Sequence, residues 1–426
     1  MNKRIVITGM GINTPLGDTL NGYYNGLLEG RSAISNWNFF DNPKVYSKVG
    51  GDLSSYDIKA KVSSFEKCLP EEVYVRLRKL SKKAPFSTNI TLMTTVDAWL
   101  DSALSVNGDN SRQAVIVAGH NLPENYLLKN HETFLDEPDW IDGMAALLNL
   151  DTDNAGSIGE VLQLKGSLYT MGGACASGNI AIRNAMNEIR YHDHDVVVVA
   201  GSPLDFSPMG LHAMGLLGAI TIESFNDTPE IASRPFDIRR EGFVPSHGAA
   251  TLILEDLDHA LARGAKIYAE VLACVSTSDG SHLPTPSQEG QARTINKLLK
   301  ITNTPPERVD FVCAHATSTP MGDLSEINAL KDVFGEHAYR FKVNAPKSML
   351  GHTCWSAPLV ETVAAIMQMR GSRLHPSINI DELDENIDID VCANQAVDHE
   401  VNVFLKNSFG FGGINCCALF QKYSDT

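Results

Sequence analysis

Short apolar runs alternate along the chain with stretches of helical periodicity, and this pattern constrains the fold more than any other feature. Such alternation predicts buried strands separated by helices, which is typical of α/β proteins. The runs occur in both halves of the 426 residues, so we expect one layered core rather than a string of modules. They lie at residues 4–8, 114–118, 196–200, 251–254, 268–275, 309–314, 401–405 and 416–420.

A short helix is predicted at residues 256–263, between the two sets of strands. Asp256 is a plausible N-cap, and Gly264 follows the last helical residue as a stop. No convincing sequence repeat is visible, although two halves of similar strand and helix content fit the pattern.

Composition narrows the class of protein. The net charge of -16 disfavours binding to nucleic acid or anionic membranes, because these polyanions are repelled at long range. No apolar run reaches the roughly 18 residues that a membrane helix needs, and the first residues lead into a strand pattern unlike a signal peptide. The eight cysteines contain no CxxC pair. We therefore expect a cytoplasmic protein with reduced thiols.

One stretch departs from this acidity, because residues 59–83 carry a local charge of +5. A solvated helical face and a docking surface for an acidic partner are both open interpretations. The basic residues are Lys59, Lys61, Lys67, Arg76, Arg78, Lys79, Lys82 and Lys83.

The most informative segment is Gly-Gly-Ala-Cys-Ala-Ser-Gly at 172–178, followed by a helical stretch at 180–190. Cys175 stands at the start of that helix, where free N–H groups and the helix dipole favour a thiolate nucleophile. Ser177 is the weaker candidate, because its surroundings do not form a GxSxG elbow and serine also caps helices.

Two histidines occupy junctions between strands and helices. His315 ends the run at 309–314 and begins a hydroxyl-rich turn, and His352 precedes an apolar helix at 358–369. Such junctions cluster on one edge of an α/β sheet, where ligands bind. Taken singly, each histidine is more readily explained by a structural role than by a catalytic one.

Three further motifs carry weaker signals. The glycine-dense segment at 407–415 is predicted to be a loop that aims N–H groups at an oxyanion. His-Asp-His-Asp at 192–195 has metal-ligand spacing, but its place between a helix and a strand favours a polar turn. The glycines at 9 and 11 lack the third glycine of a dinucleotide fingerprint, since Thr14 stands there.

In this order, these segments resemble the β-ketoacyl-ACP synthases, the decarboxylating condensing enzymes of the thiolase superfamily. Arg-Pro-Phe-Asp at 234–237 and Lys-Ser-x-x-Gly-His at 347–352 belong to the same resemblance, which covers nearly the whole chain. It implies an α/β, thiolase-like fold of five layers (αβαβα) built from two similar halves. The half at 1–255 would carry the cysteine, and the half at 256–426 the two histidines.

The resemblance also implies residue roles. Cys175 would accept the acyl group, while His315 and His352 would serve the decarboxylation site. Lys347 and Glu326 would form a supporting polar pair.

The entry to the site is assigned in the same way. Phe411 would act as a gate, and its N–H would join that of Cys175 as the oxyanion hole. Thr317 and Thr319 would line the entry for the phosphopantetheine arm of an acyl carrier protein (ACP). The resemblance implies no metal or redox cofactor, since the substrates arrive on that arm.

The implied reaction is acyl transfer from acyl-ACP to Cys175, then decarboxylative condensation with malonyl-ACP, in polyketide or specialised fatty-acid synthesis. A homodimer is expected, or a heterodimer with a second ketosynthase-like subunit. Alternatives are an accessory malonyl-ACP decarboxylase, a subunit active only with its partner, and a noncatalytic scaffold for the carrier. Departures from the family pattern at Ala316, Trp355, Pro358 and 243–248 leave the substrate open.

Overall fold

The computed structural model describes residues 3–424, and seven of the eight apolar runs belong to strands that are longer than the run itself. The run at 309–314 instead holds a shorter strand, at 311–313. All eight predicted runs contain a strand. The strands are β1 (Ile5–Asn13), β2 (Ser35–Asn36), β3 (Val49–Gly50), β4 (Gln113–Ala118), β5 (Leu168–Met171), β6 (Val196–Gly201), β7 (Ala249–Asp256), β8 (Ala269–Ser278), β9 (Phe311–Cys313), β10 (Lys342–Asn344), β11 (Arg373–Leu374), β12 (Val397–Asp398), β13 (Val403–Gly410) and β14 (Ile414–Gln421).

Helices separate most of these strands. They are α1 (Leu20–Leu28), α2 (Ile58–Ser64), α3 (Glu71–Ser81), α4 (Phe86–Ser102), α5 (Glu124–Asp136), α6 (Ala145–Leu148), α7 (Thr152–Leu162), α8 (Ser177–Tyr191), α9 (Pro208–Leu216), α10 (Leu257–Ala262), α11 (Gln288–Thr302), α12 (Pro320–Phe334), α13 (Lys347–Leu350) and α14 (Ala357–Gly371).

The main sheet consists of two five-stranded sets with the same connectivity. The first has the order β5-β4-β6-β7-β1 and the second the order β10-β9-β13-β14-β8. In each set the first three strands listed are parallel and the last two are antiparallel to their neighbours. The sets meet where β1 pairs with β8. This internal symmetry, which no sequence repeat revealed, confirms two similar halves.

The helices complete the layers. α8 and α14 contact each other and strands of both sets, so they form a central helical layer between the two sets of strands. α4 and α7 cover the other face of the first set, while α11 packs on β8 and β14 with α12 beside it. The largest apolar core combines the strands of both sets with α8 and α14. The α/β fold of five layers is thus confirmed.

The predicted helix after β7 is present as α10. The Asp256 carboxylate accepts hydrogen bonds from the N–H groups of Asp258 (2.9 Å) and His259 (3.4 Å), and Gly264 follows with a φ of 67°. These are the N-cap and the stop that the sequence predicted. We propose the division of the halves at 255/256, near the end of β7. Among residues 3–424, no helix is long and apolar enough to cross a membrane.

Candidate active site

A cavity of about 430 Å³ lies where the two halves meet. The first half contributes Cys175 to its wall. The second half contributes His315, His352 and Phe411, and Thr317 and Thr319 also line it. The structure therefore brings together six of the eight predicted site residues at one cavity, although they come from segments far apart in the chain.

Cys175 lies in a short 3-10 helix, Ala174–Ala176, directly before α8. Ser177 closes this turn, because its hydroxyl accepts the Gly173 N–H (2.8 Å) and donates to the Ala174 carbonyl (2.7 Å). Gly410 packs against the turn so closely that a Cβ there would lie 2.8 Å from the Gly173 carbonyl oxygen. A glycine at 410 is thus needed for the two halves to approach each other at Cys175.

The predicted glycine-rich loop is shorter than expected. Residues 407–410 continue strand β13, and β14 begins at Ile414, so only residues 411–413 form the turn. Gly412 and Gly413 have φ values of 84° and 69°, which suit glycine at this tight connection. Phe411 stands at its tip and is 39% exposed at the cavity wall.

The expectation of a thiolate at Cys175 needs correction. Burial raises the pKa of this thiol to about 11, which outweighs the opposing effects of Lys347 and of the backbone N–H groups of Phe411 and Cys175 itself. The free thiol is therefore protonated at neutral pH. The same N–H groups lie close to the sulfur, where they can donate to an oxyanion that forms there.

The two histidine rings lie edge to face at the cavity wall, with centroids 5.4 Å apart and planes at 83°. Burial, and then the positive charge of Lys347, lower both pKa values well below the usual range, so both rings are neutral. The Cys354 N–H donates to Nδ1 of His352 at 3.3 Å. The proton of the neutral His352 ring is therefore assigned to Nε2, which has no protein partner among the described residues.

Carboxylates of α12 hold the turn that carries His315. Glu326 accepts the N–H groups of His315 (2.9 Å) and Ala316 (2.8 Å) and the side-chain amide of Asn407 (2.9 Å). Asp323 accepts the Ser318 N–H at 3.1 Å. It also accepts the N–H of Phe236 (2.9 Å), which links the turn to the Arg-Pro-Phe-Asp segment.

Lys347 contacts the same turn, but it is not half of the predicted pair with Glu326. It donates to the His315 carbonyl at 2.6 Å, and the carboxylate that it contacts is Glu361 of α14, not Glu326. The predicted pairing of Lys347 with Glu326 was wrong, because α14 places the Glu361 carboxylate next to Lys347. The one acidic residue of a mostly apolar helix was the sequence signal that could have revealed Glu361.

The remaining motifs have structural explanations. Thr317 and Thr319 share a hydrogen bond of 3.0 Å between their hydroxyls. In the segment 192–195, Arg112 contacts Asp193 and Asp195, and His194 pairs with Glu188 at 3.1 Å. Residues 192–195 therefore form the ion-paired polar turn that was favoured for them.

Comparison with known proteins decides the family. The model of the β-ketoacyl synthase N-terminal domain matches residues 2–260, and that of the C-terminal domain matches residues 268–381. The chain belongs to the β-ketoacyl synthase family. It is 31% identical to 3-oxoacyl-[acyl-carrier-protein] synthase 2 of Coxiella burnetii (strain RSA 493 / Nine Mile phase I), over 99% of each chain.

Two further relatives of this β-ketoacyl synthase bear on its function. A polyketide biosynthesis malonyl-ACP decarboxylase of Bacillus subtilis (strain 168) is 32% identical, over 98% of this chain and 96% of its own. A solved structure of a type II polyketide synthase acyl-carrier protein in complex with its ketosynthase bound to the hexaketide matches with a TM-score of 0.86 and 27% identity, covering 100% of both chains.

Proposed function

We propose that this chain is an active β-ketoacyl-ACP synthase that elongates an acyl group held on Cys175, in polyketide or specialised fatty-acid synthesis. The observation that carries the proposal is the meeting of Cys175 with two neutral histidines, His315 and His352, on one cavity. A nucleophile beside two N–H donors suits acyl transfer followed by formation of an enolate.

The first step is exchange of one thioester for another. The Cys175 sulfur attacks the acyl carbonyl, and the N–H groups of Cys175 and Phe411 donate to the oxyanion, each being worth roughly 3 to 4 kcal/mol in comparable sites. The C–S bond to the carrier then breaks. The proton that leaves the Cys175 thiol ends on the thiol of the phosphopantetheine arm, so no other reactant is needed.

The second step uses the histidines. The thioester oxygen of malonyl-ACP accepts one hydrogen bond from Nε2–H of His352 and a second from the N–H of the His315 ring beside it. Loss of CO2 leaves an enolate whose oxygen keeps these donors. The enolate carbon attacks the acyl-Cys175 carbonyl, the C–S bond breaks, and the thiolate of Cys175 takes one proton from solvent.

The carrier and its arm are part of the proposal. The phosphopantetheine arm would enter past Thr317 and Thr319, whose hydroxyls can bond its amides. It supplies the thiol to which both substrates are attached, and the residues named above orient those substrates. A cytoplasmic location is proposed with it, since all eight cysteines are free thiols.

A dimer is also proposed, because the first half leaves an edge strand uncovered and exposes several apolar side chains of one helix. β5 is the outermost strand of the main sheet, and Leu168 in it is 46% exposed. No residue of α5 is buried, although it carries Leu127, Phe134 and Leu135. A second copy, or a ketosynthase-like partner, would cover the edge of β5 and the exposed apolar residues of α5.

Acyl transfer to Cys175 is the decisive test. Wild-type protein is incubated with a panel of acyl-ACPs, and its intact mass is measured. We expect one acyl adduct that is absent from Cys175→Ala and retained by Cys68→Ala, which removes the exposed cysteine as a control. An unmodified wild type with every acyl-ACP of the panel would contradict the proposal.

Malonyl-ACP decarboxylation without condensation is the second candidate, favoured by the relative from Bacillus subtilis. It predicts release of acetyl-ACP and CO2 with no β-ketoacyl product, whatever acyl-ACP is supplied. Robust elongation by the purified protein alone would exclude this function, and also the need for a second kind of subunit.

A further inference from the structure

Lys406 is a buried charge that the proposed mechanism does not use. It lies within β13, and its side chain is 0% exposed. Its ammonium group is 2.7 Å from Oε2 of Glu361, contacts the Asn407 carbonyl and lies 3.4 Å from the Ser408 hydroxyl. A lysine this deep in the core is costly unless its charge has a function or a partner.

Its partner is already engaged. The Glu361 carboxylate contacts Lys347 through Oε1 and Lys406 through Oε2, and all three side chains are at most 2% exposed. One carboxylate thus serves two ammonium groups, which leaves a net charge of +1 in this three-residue cluster. Burial lowers the pKa of Lys406, but the nearby Glu361 carboxylate reverses this and holds the pKa above its usual value. The ammonium group is therefore charged at neutral pH.

This three-residue cluster contacts the turn that carries His315. Lys347 links it to the carbonyl of His315, and the charge of Lys406 acts on both rings in the same direction as that of Lys347. The other groups against the rings are uncharged aromatic ones. Phe409 of β13 lies 5.8 Å from His315, and Phe243 lies 5.2 Å from His352, between ring centroids.

Four other ionisable groups line the cavity or hold the turn of His315. At the cavity wall, Glu241 accepts a hydrogen bond from the Thr221 hydroxyl (3.1 Å) and Asp279 accepts one from the Asn415 side-chain amide (2.6 Å). The Glu326 carboxylate of α12 is occupied by three N–H donors, those of His315, Ala316 and Asn407, so it faces the backbone of the turn. The Cys175 thiol lines the same cavity and is protonated. Among the described groups around the rings, the two lysines therefore disfavour an imidazolium.

We propose that Lys406 is a positioning residue that keeps His315 and His352 neutral, and so available as N–H donors, when the pH falls. The proposal rests on the proposed function, because it assigns a task to the histidines in decarboxylation. Lys406 acts through Glu361, since removing the Lys406 ammonium group would leave a neutral Lys347–Glu361 pair near the rings.

The test is the pH profile of CO2 release from malonyl-ACP by Lys406→Met, which keeps most of the side-chain volume without the charge. The loss of a positive charge lets the rings take up protons more easily. The acid limb of the profile should therefore move to higher pH, by about half a pH unit to one unit. Lys342→Met is the matched control, because Lys342 pairs with Asp390 at the protein surface. Its acid limb should equal that of the wild type.

Folding and function are separated by two additional measurements. Lys406→Arg keeps the charge and should keep the wild-type acid limb, and thermal unfolding shows whether each variant is folded. Titration of the histidines by ¹⁵N NMR needs no turnover, so it tests the idea even if the wild type releases no CO2. Protonation of His315 and His352 at the same pH in wild type and Lys406→Met would overturn the proposal. So would an unshifted acid limb in a folded variant.

Discussion

At the scale of single residues, the ring orientation of His352 makes a prediction about catalysis. Because Nδ1 accepts the Cys354 N–H, the only proton of the neutral ring is on Nε2. His352→Ala removes this donor and should lower decarboxylation of malonyl-ACP by about 10²- to 10³-fold. His352→Gln places an amide N–H near the position of Nε2 and should lose less. The measurement is CO2 release at saturating malonyl-ACP.

The control for this experiment is acylation of Cys175, measured on the same two His352 variants. Both variants should still accept an acyl group from acyl-ACP, since the N–H donors of that step belong to Cys175 and Phe411. If His352→Gln is no better than His352→Ala, or if both lose acylation equally, the donor role of Nε2 is wrong and His352 only maintains the shape of the cavity.

The same scale shows where prediction from sequence ends. Cys175, His315 and His352 were found because each follows a strand or precedes a helix, which is a local signal. The pairing of Lys347 required a distance in space, and Glu361 lies 14 residues further along. Burial of the thiol was equally invisible, so the local argument from the helix N-terminus led to the wrong protonation state for Cys175.

At the scale of elements, the site depends on how α8 and α14 cross. Their first residues follow Cys175 and His352, and Gly178 of α8 lies against Pro358 of α14. A Cβ at Gly178 would be 2.9 Å from Pro358 Cβ and 3.1 Å from the Leu359 backbone nitrogen. The two helices can therefore approach this closely only with glycine at position 178.

Gly178→Ala should push the helices apart. We expect a loss of about 1 to 3 kcal/mol in the free energy of unfolding, from overpacking. Acyl transfer and condensation should fall by about 10- to 100-fold, because misplacing a reacting group by about 1 Å has effects of this size. Urea denaturation and steady-state rates measure the two effects.

Gly156→Ala is the matched control for this substitution. Gly156 lies in α7 and is exposed, and a Cβ at this position would have no neighbouring atom within 4 Å. Alanine there should stabilise the protein by about 0.5 to 1 kcal/mol through helix propensity and leave the rates unchanged. Equal activity of Gly178→Ala and Gly156→Ala would show that the crossing does not set the spacing of Cys175 and His352.

Elements were predicted well where their apolar residues face a core. The eight strand runs and the α10 cap are local patterns, and all of them are present. The glycine segment was predicted to be a loop because glycine weakens strands, yet residues 407–410 continue β13. Packing against the turn of Cys175 requires this, since Gly410 faces the Gly173 carbonyl, and such a contact across the two halves leaves no trace in local sequence.

At the scale of the whole molecule, the acidity of the chain conflicts with its proposed partner. Acyl carrier proteins of such systems are expected to be acidic, so a chain with a net charge of -16 should repel them overall. A local basic surface can still attract the carrier within about one Debye length, roughly 8 to 10 Å. The candidate is the stretch at 59–83, which forms α2, α3 and their flanks.

The structure divides the cations of this stretch into two groups. Lys61 pairs with Asp97 at 2.8 Å, and Arg76 donates to the Val161 carbonyl at 3.2 Å, so both have intramolecular partners. The exposed cations are Lys59, Lys67, Arg78, Lys79, Lys82 and Lys83. A docking surface for an acidic carrier would consist of these residues, and charge reversal should be directed at Arg78 and Lys79 rather than at Arg76.

Arg78→Glu combined with Lys79→Glu should weaken binding of the carrier by about 10-fold, as expected when two exposed ion pairs of up to about 1 kcal/mol each are lost. The double variant Lys297→Glu, Lys300→Glu changes the net charge equally on the exposed side of α11. Titration calorimetry at low and high salt measures both. Wild-type binding should weaken with added salt, and the Arg78, Lys79 variant should show a smaller salt dependence than the control. Equal weakening of both variants would mean that total charge, not this surface, governs the encounter with the carrier.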